Sequence, residues 1–226
     1  MLKRGTGKRI WLAVAIAALA VMAYAGLALA ASPPIIGQVD DTFNAPSYNI
    51  DQGEVAQLQV TGSNHNVTAQ SNGPDKQALF RSPTITGGSA PVDGTQYLAT
   101  GDYTFFCTIH PTTMQATLHV TGNGTPQARP TASLTLKTKT ISKAIKKGIL
   151  VSVNASTQVS GATLTAKLGK ATLAKTTSSF ASGSQTAKLK LSKAGKSKLS
   201  KKSSAKVTVT AEIPFGNPVT AKAKLK

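Results

Sequence analysis

The sequence of 226 residues contains one cysteine, three histidines and one tryptophan, and aromatic residues make up 5% of it. A single cysteine excludes an internal disulfide, so no bridge staples this fold. Three histidines are too few for an enzyme built on several histidine-rich metal centres. So few aromatics leave little for stacking the bases of single-stranded nucleic acid, which disfavours that partner. There is no phosphate-binding glycine loop and no nucleophile–base pair with a third member to orient it, so the chain reads as a non-enzyme. Long amphipathic helical stripes are missing too. The apolar residues fall in short alternating runs broken by Gly, Pro, Asn and Asp, which predicts an all-β protein.

The N-terminus departs from this pattern. Lys3, Arg4, Lys8 and Arg9 precede an uncharged stretch from Ile10 to Leu27, and Ala28-Leu29-Ala30 follows as a small-x-small cleavage signal. Residues 1–30 are therefore expected to be a hydrophobic leader helix, either a cleaved signal peptide or an uncleaved membrane anchor through residues 10–27. Both place the remainder outside the cytoplasm, secreted or at the cell surface. An unpaired thiol in an oxidising compartment is a liability unless it is buried or bound.

Acidic residues are scarce in one half only. Between Ala31 and Thr125 two basic residues stand against seven acidic ones, a net −5. Between Pro126 and Lys226, 19 lysines and Arg129 stand against Glu212 alone, a net +19. Such a break marks a domain boundary. It divides the chain into a first domain at 31–121, a Gly/Pro/Thr-rich linker at 122–130 and a second domain at 131–226.

The first domain holds the chemistry. Cys107, His110 and Met114 lie within eight residues in a chain with almost no other sulfur or imidazole. Tyr103, Phe105 and Cys107 alternate onto one face of a strand. A loop with His110 and Met114 follows, and then a last strand with Ala116, Leu118 and Val120 on one face. His65 sits at an earlier strand end. A Greek-key sandwich can bring these strand ends to one pole, gathering two imidazoles, a thiolate and a thioether. That donor set suits a copper ion that changes oxidation state, because soft sulfur favours Cu(I) and imidazole suits Cu(II). His119 falls between Leu118 and Val120, and so points to the opposite, solvated side.

Residues 38–121 resemble the cupredoxin family, the plastocyanin and amicyanin group of type 1 blue copper proteins. The resemblance rests on His65-Asn66-Val67, on Gly101-x-Tyr103-x-Phe105-x-Cys107, on Cys107-Thr108-Ile109-His110-Pro111, and on Met114 leading into the last strand. It implies one copper ion, with His65, Cys107 and His110 as equatorial ligands and Met114 as the axial one. It implies that Asn66 ties the two ligand loops together behind the metal. It also implies single-electron exchange with a redox partner protein through the exposed edge of His110. The loop departs from the family in length. Three residues separate His110 from Met114, against two in amicyanin-like and four in plastocyanin-like loops. Two alternatives remain open at this point: copper binding or transport without a redox partner, and surface adhesion with a structural cupredoxin module.

The second domain has no Cys, His, Trp, Tyr or Met. Its alternating strands, with small apolar residues inward and Thr or Lys outward, predict another β-sandwich. It loosely resembles the Lys-rich immunoglobulin-like modules of bacterial secreted proteins. Ser192 to Ser203 is expected to hold a short helix or turn. The lysines serve solubility, or attract an anionic cell-wall polymer or membrane surface. Nothing in the pattern calls for association between copies, so a monomer is expected.

Overall fold

The computed structural model describes residues 33–226, so the leader expected at 1–30 lies outside the described residues. Among the described residues, no helix is long and apolar enough to cross a membrane. The N-terminal half contains β1 (Ile35–Val39), β2 (Thr42–Phe43), β3 (Ser47–Gln52), β4 (Gln57–Val60), β5 (Thr68–Ala69), β6 (Gly88–Pro91), β7 (Gly101–Phe106) and β8 (Gln115–Gly124). The C-terminal half contains β9 (Ala132–Leu136), α1 (Ile141–Lys147), β10 (Ile149–Ala155), β11 (Val159–Leu168), β12 (Ala171–Phe180), β13 (Gly183–Leu189), α2 (Lys193–Ser200), β14 (Ala205–Glu212) and β15 (Val219–Leu225). The protein is all-β in class, as its short alternating runs predict.

Two sheets, ordered β2-β1-β4-β6 and β3-β8-β7-β5, form the N-terminal sandwich. Two of its pairings, β1 with β4 and β3 with β8, are parallel, and the others are antiparallel. Alternation along β8 buries Ala116, Leu118 and Val120 and turns the residues between them outward. Phe105 lies at the centre of an edge-to-face aromatic group, 4.9 Å from Phe43 and 6.1 Å from Phe80 between ring centroids. This core also encloses Cys107 and Met114. The thiol thus belongs to the same buried core as this aromatic group.

The C-terminal sandwich packs a three-stranded sheet, β13-β10-β9, on a four-stranded sheet, β12-β11-β14-β15, and every pairing in it is antiparallel. Its core is a separate cluster of small and branched residues, among them Val151, Leu164, Leu189 and Val209. Helix α2 falls in the segment where the sequence predicts a helix or turn. Helix α1 is not anticipated. Its signal is local: the Thr140 side chain accepts the Lys143 N–H, and Gly148 ends the helix at φ 87°. Seven residues give too short a periodic run to stand out from strand-like alternation.

Strand β8 continues to Gly124 and so reaches into the stretch expected to link the domains. The remaining connection is pinned. The Gln127 N–H donates to Gln96 O at 2.8 Å, and its side chain donates to Gly53 O at 3.0 Å. The two sandwiches meet at Phe215, a non-glycine residue at φ 60°. Its N–H donates to Asp75 Oδ2 at 2.9 Å and its carbonyl accepts from Arg129 at 3.1 Å. The Arg81 guanidinium lies 4.2 Å from the centre of its ring and also bonds Asp75. Gly94 makes room for this contact, since a Cβ there would lie 2.8 Å from the Phe215 ring and 2.6 Å from Leu79 O. These groups hold Phe215 in a backbone conformation that side chains otherwise disfavour.

The junction is expected to be acid-sensitive. Burial pushes the Asp75 carboxyl up. The Phe215 and Gln77 N–H groups and Arg81 outweigh it and hold the carboxyl below its ordinary value. A depressed pKa stabilises the fold above the unfolded value of about 4, and that contribution is lost as pH falls through the folded value. Asp75→Asn should therefore melt well below the wild type at pH 7. The gap should narrow below about pH 4, which paired thermal melts would show. A gap that stays constant with pH would remove the carboxylate from this role.

Candidate metal centre

Cys107 directly follows β7, and the loop it opens closes on itself. The Cys107 N–H donates to Met114 O at 3.0 Å, and the Met114 N–H donates to His110 O at 2.9 Å. The Gln115 side chain donates to Pro111 O at 2.7 Å. These bonds bring the loop's two ends together beneath His110. Met114 is fully buried in the same core as Cys107.

His65 lies on the connection that crosses from β4 in one sheet to β5 in the other. Its backbone exchanges two hydrogen bonds of 3.0 Å with Ile85, which fixes it as an isolated bridge rather than within a longer strand. His65 Nδ1 lies 4.0 Å from Cys107 Sγ. The ligand atoms of His65, Cys107 and His110 all lie within 4.8 Å of one another. The two imidazole centroids are 5.0 Å apart. His65 and Cys107 are fully buried, while the His110 side chain keeps 23% exposure.

The hydrogen bonds of the two rings explain their orientation. His65 Nε2 is 3.1 Å from the Ser63 hydroxyl, and His110 Nε2 is 3.3 Å from an Asp41 carboxylate oxygen. Each outer nitrogen thus has a partner able to accept its proton. This leaves the Nδ1 lone pair free in both rings, and that of His65 lies on the Cys107 side. His110 Nδ1 is buried and has no hydrogen-bond partner among the described residues. A buried polar atom without a partner is costly unless something else completes its bonding. Burial, and next the neighbouring His110, hold the His65 pKa below its ordinary value, and Asp41 opposes them. The neutral ring that results is the form with a lone pair to give.

Asn66 joins the two loops. Its side-chain amide donates to Thr84 Oγ1 at 2.9 Å and to Thr108 Oγ1 at 2.7 Å, and its carbonyl accepts the Thr108 N–H at 3.0 Å. Its backbone N–H points to Cys107 Sγ at 3.5 Å. The loop that carries His65 is thereby tied to the sulfur itself as well as to Thr108.

The structure thus gathers His65, Cys107 and His110 in one cluster, places Asn66 across both loops and encloses Met114 in the core beneath. It sets His119 apart from them, on β8, where its ring bonds Asp102. Asp41, Ser63, Thr84 and Thr108 also shape the site, and sequence reasoning misses them. Asp41 and Ser63 act on ring nitrogens from loops without a motif. Thr84 is 18 residues from Asn66 and shows no spacing that would connect them.

The loop's outer surface is mixed in character. Ile109 is 44% exposed beside His110. The Thr113 hydroxyl donates to Asp41 O at 3.3 Å and ties the loop to the segment that carries the carboxylate.

No protein-family model matches the chain, and no curated protein matches it. Solved structures similar to part of it are blue copper proteins. A reduced Cu(I) form of an amicyanin variant shares 18% identity over 40% of this chain and 83% of that chain, with a TM-score of 0.33. An oxidised amicyanin variant shares 19% over 39% of this chain and 82% of that chain, with a TM-score of 0.34. Auracyanin A, a blue copper protein from the green thermophilic photosynthetic bacterium Chloroflexus aurantiacus, shares 18% over 38% of this chain and 96% of that chain, with a TM-score of 0.32.

Proposed function

We propose that this chain is an extracytoplasmic electron carrier of the cupredoxin family. His65, Cys107 and His110 would hold one type 1 copper ion, with the Met114 thioether as a fourth donor. One observation carries this reading: the ligand atoms of His65, Cys107 and His110 lie within 4.8 Å of one another, and the buried Nδ1 of His110 has no hydrogen-bond partner among the described residues. Copper bound there would cycle between Cu(I) and Cu(II), passing one electron at a time.

The protein's own part is to hold the donors and exclude water. Ser63 and Asp41 fix the ring orientations, and Asn66 fixes the spacing of the two loops. The Phe105 group packs in the same buried core as Cys107. Donors held this way need little rearrangement when charge changes. The partly exposed edge of His110 is the route by which electrons enter and leave, beside the apolar surface of Ile109. The chain carries electrons between partner proteins and turns over no substrate of its own. The apolar run at residues 10–27 directs it out of the cytoplasm.

Voltammetry of the copper-loaded protein tests this function. The expected result is a reversible one-electron couple, with one copper per chain that a chelator removes slowly. An irreversible couple with rapid loss to the chelator would instead support copper buffering or transport. Met114→Leu should keep the copper bound and raise the reduction potential, because an apolar side chain replaces an electron-donating one and drier surroundings disfavour the more highly charged Cu(II). An unchanged potential would take Met114 out of the ligand set.

A further inference from the structure

The 19 lysines of residues 131–226 are distributed unevenly over the C-terminal sandwich. One pole of this sandwich, made by the end of β14 and the turn carrying Phe215, faces the N-terminal half. The other pole is made by the end of β11, the start of β14, the end of β15 and both helices. Register shows this: Leu168 pairs with Val207, and Ala205 pairs with Leu225. The Ile141 N–H donates to Lys226 O, and the Ser192 N–H donates to Leu173 O. Every lysine of the sandwich except Lys175 lies in this far half. Its only acidic side chain, Glu212, lies at the near end. Among the described residues, no lysine forms an ion pair.

Solvation and protection of edge strands account for some lysines on β13 and β15. They do not account for the polarity, because the near half has edges too. Nor do they explain Lys206 directly opposite Lys224, a like-charge cross-strand pair that destabilises a sheet. A hollow of about 200 Å³ lies among α1, the end of β13 and α2, and is lined by Lys146, Lys147, Lys188, Lys190 and Lys196. Five ammonium groups around one hollow repel each other unless an anion sits among them.

We propose that this far pole binds a linear, flexible polyanion bearing repeated phosphate groups. The lysines project from the outer faces of both sheets, Lys188 on one and Lys206, Lys222 and Lys224 on the other. A flexible chain can follow both faces, whereas a flat membrane meets one. The large exposed apolar side chains, Ile35, Val39 and Ile109, all belong to the N-terminal half, so this pole has none to insert into lipid. Lysine binds phosphate as a point charge and takes its oxygens from many directions, which suits a flexible chain with no fixed pose. Phe180 is buried and Phe215 is engaged at the junction, which leaves no surface for stacking bases. The metal cluster lies where β7 ends and β8 begins, in the N-terminal sandwich, whereas the lysine pole is the end of the C-terminal sandwich that faces away from it. A polymer on the lysine pole therefore leaves the metal end free.

Residues 31–226 contain both cores and every described strand, and are the species to test. Binding to long-chain inorganic polyphosphate is measured in about 50 and about 200 mM salt, with anionic phosphatidylglycerol vesicles as a second arm. Affinity should fall by at least about tenfold between the two salt concentrations. Changing the five hollow-lining lysines together to glutamine should weaken binding by at least about thirtyfold. Lys76→Gln with Lys175→Gln, both away from the pole, should change it by less than about threefold. The five-fold variant should melt no lower than the wild type, since it relieves repulsion. Absence of polyphosphate binding at the lower salt, or an equal loss per charge in the control, overturns the proposal. Tighter binding to vesicles than to polyphosphate assigns the pole to a membrane and overturns it as well.

Discussion

Cys107→Ser is expected to abolish any intense visible absorption of the copper-loaded protein and to weaken Cu(I) binding severely. The thiolate is the one soft anionic donor among His65, Cys107 and His110, and Cu(I) depends most on that softness. The loss should exceed the roughly 10–100-fold typical of removing an outer partner of a ligand. The fold should survive. Serine is close in size, and its hydroxyl can still accept the Asn66 N–H that points to Sγ. The stability change should stay near about 1 kcal/mol, the scale of one exchanged hydrogen bond. A competition titration with a Cu(I) chelator and a thermal melt of the apo protein separate the two effects. Unchanged Cu(I) affinity would remove the thiol from the site.

Asn66→Ala should damage both fold and site. Asn66 is 5% exposed and bonds Thr84, Thr108 and the Thr108 N–H. Truncation leaves the Thr108 N–H and two hydroxyls without these partners. Thr84 and Thr108 are exposed, so water reaches the groups left behind, and roughly 2 kcal/mol in total is expected. For a sandwich of this size the melting temperature should fall on the order of 10 °C. The loops carrying His65 and Cys107 then lose their common tie, and copper affinity should drop about 10–100-fold. Asn66→Asp keeps the acceptor for the Thr108 N–H and loses the amide donor, so it should fall between the two. Paired melts with and without copper measure both parts. A loss of stability with unchanged affinity would make Asn66 structural only.

The strands and the donor cluster were legible for related reasons. Tyr103, Phe105 and Cys107 share a face because strand side chains alternate, and that periodicity is written in the residues themselves. The spacing of Cys107, His110 and Met114 is local, so the loop that closes over them could be anticipated. Asn66 followed from the family resemblance rather than from any pattern of its own. Asp41 was not legible, because its contact with His110 spans 69 positions and depends on how β1, β2 and the ligand loop meet. Helix α1 was hidden by its brevity, although Thr140 and Gly148 mark its ends. The clasp at Phe215 was hidden by distance: Asp75 lies 140 residues earlier, and one carboxylate in an acidic half does not reveal its partner. The charge split was visible as composition, whereas its concentration at one pole needed the strand register.

The central claim is that two imidazoles and a thiolate are held ready for one copper ion. Adding Cu(II) to the apo form of residues 31–226, with visible absorption and electron paramagnetic resonance recorded together, tests it most directly. The predicted result is an intense blue thiolate-to-copper band with a small copper hyperfine splitting, complete at one ion per chain. A pale solution with a tetragonal spectrum, or no binding, would contradict it.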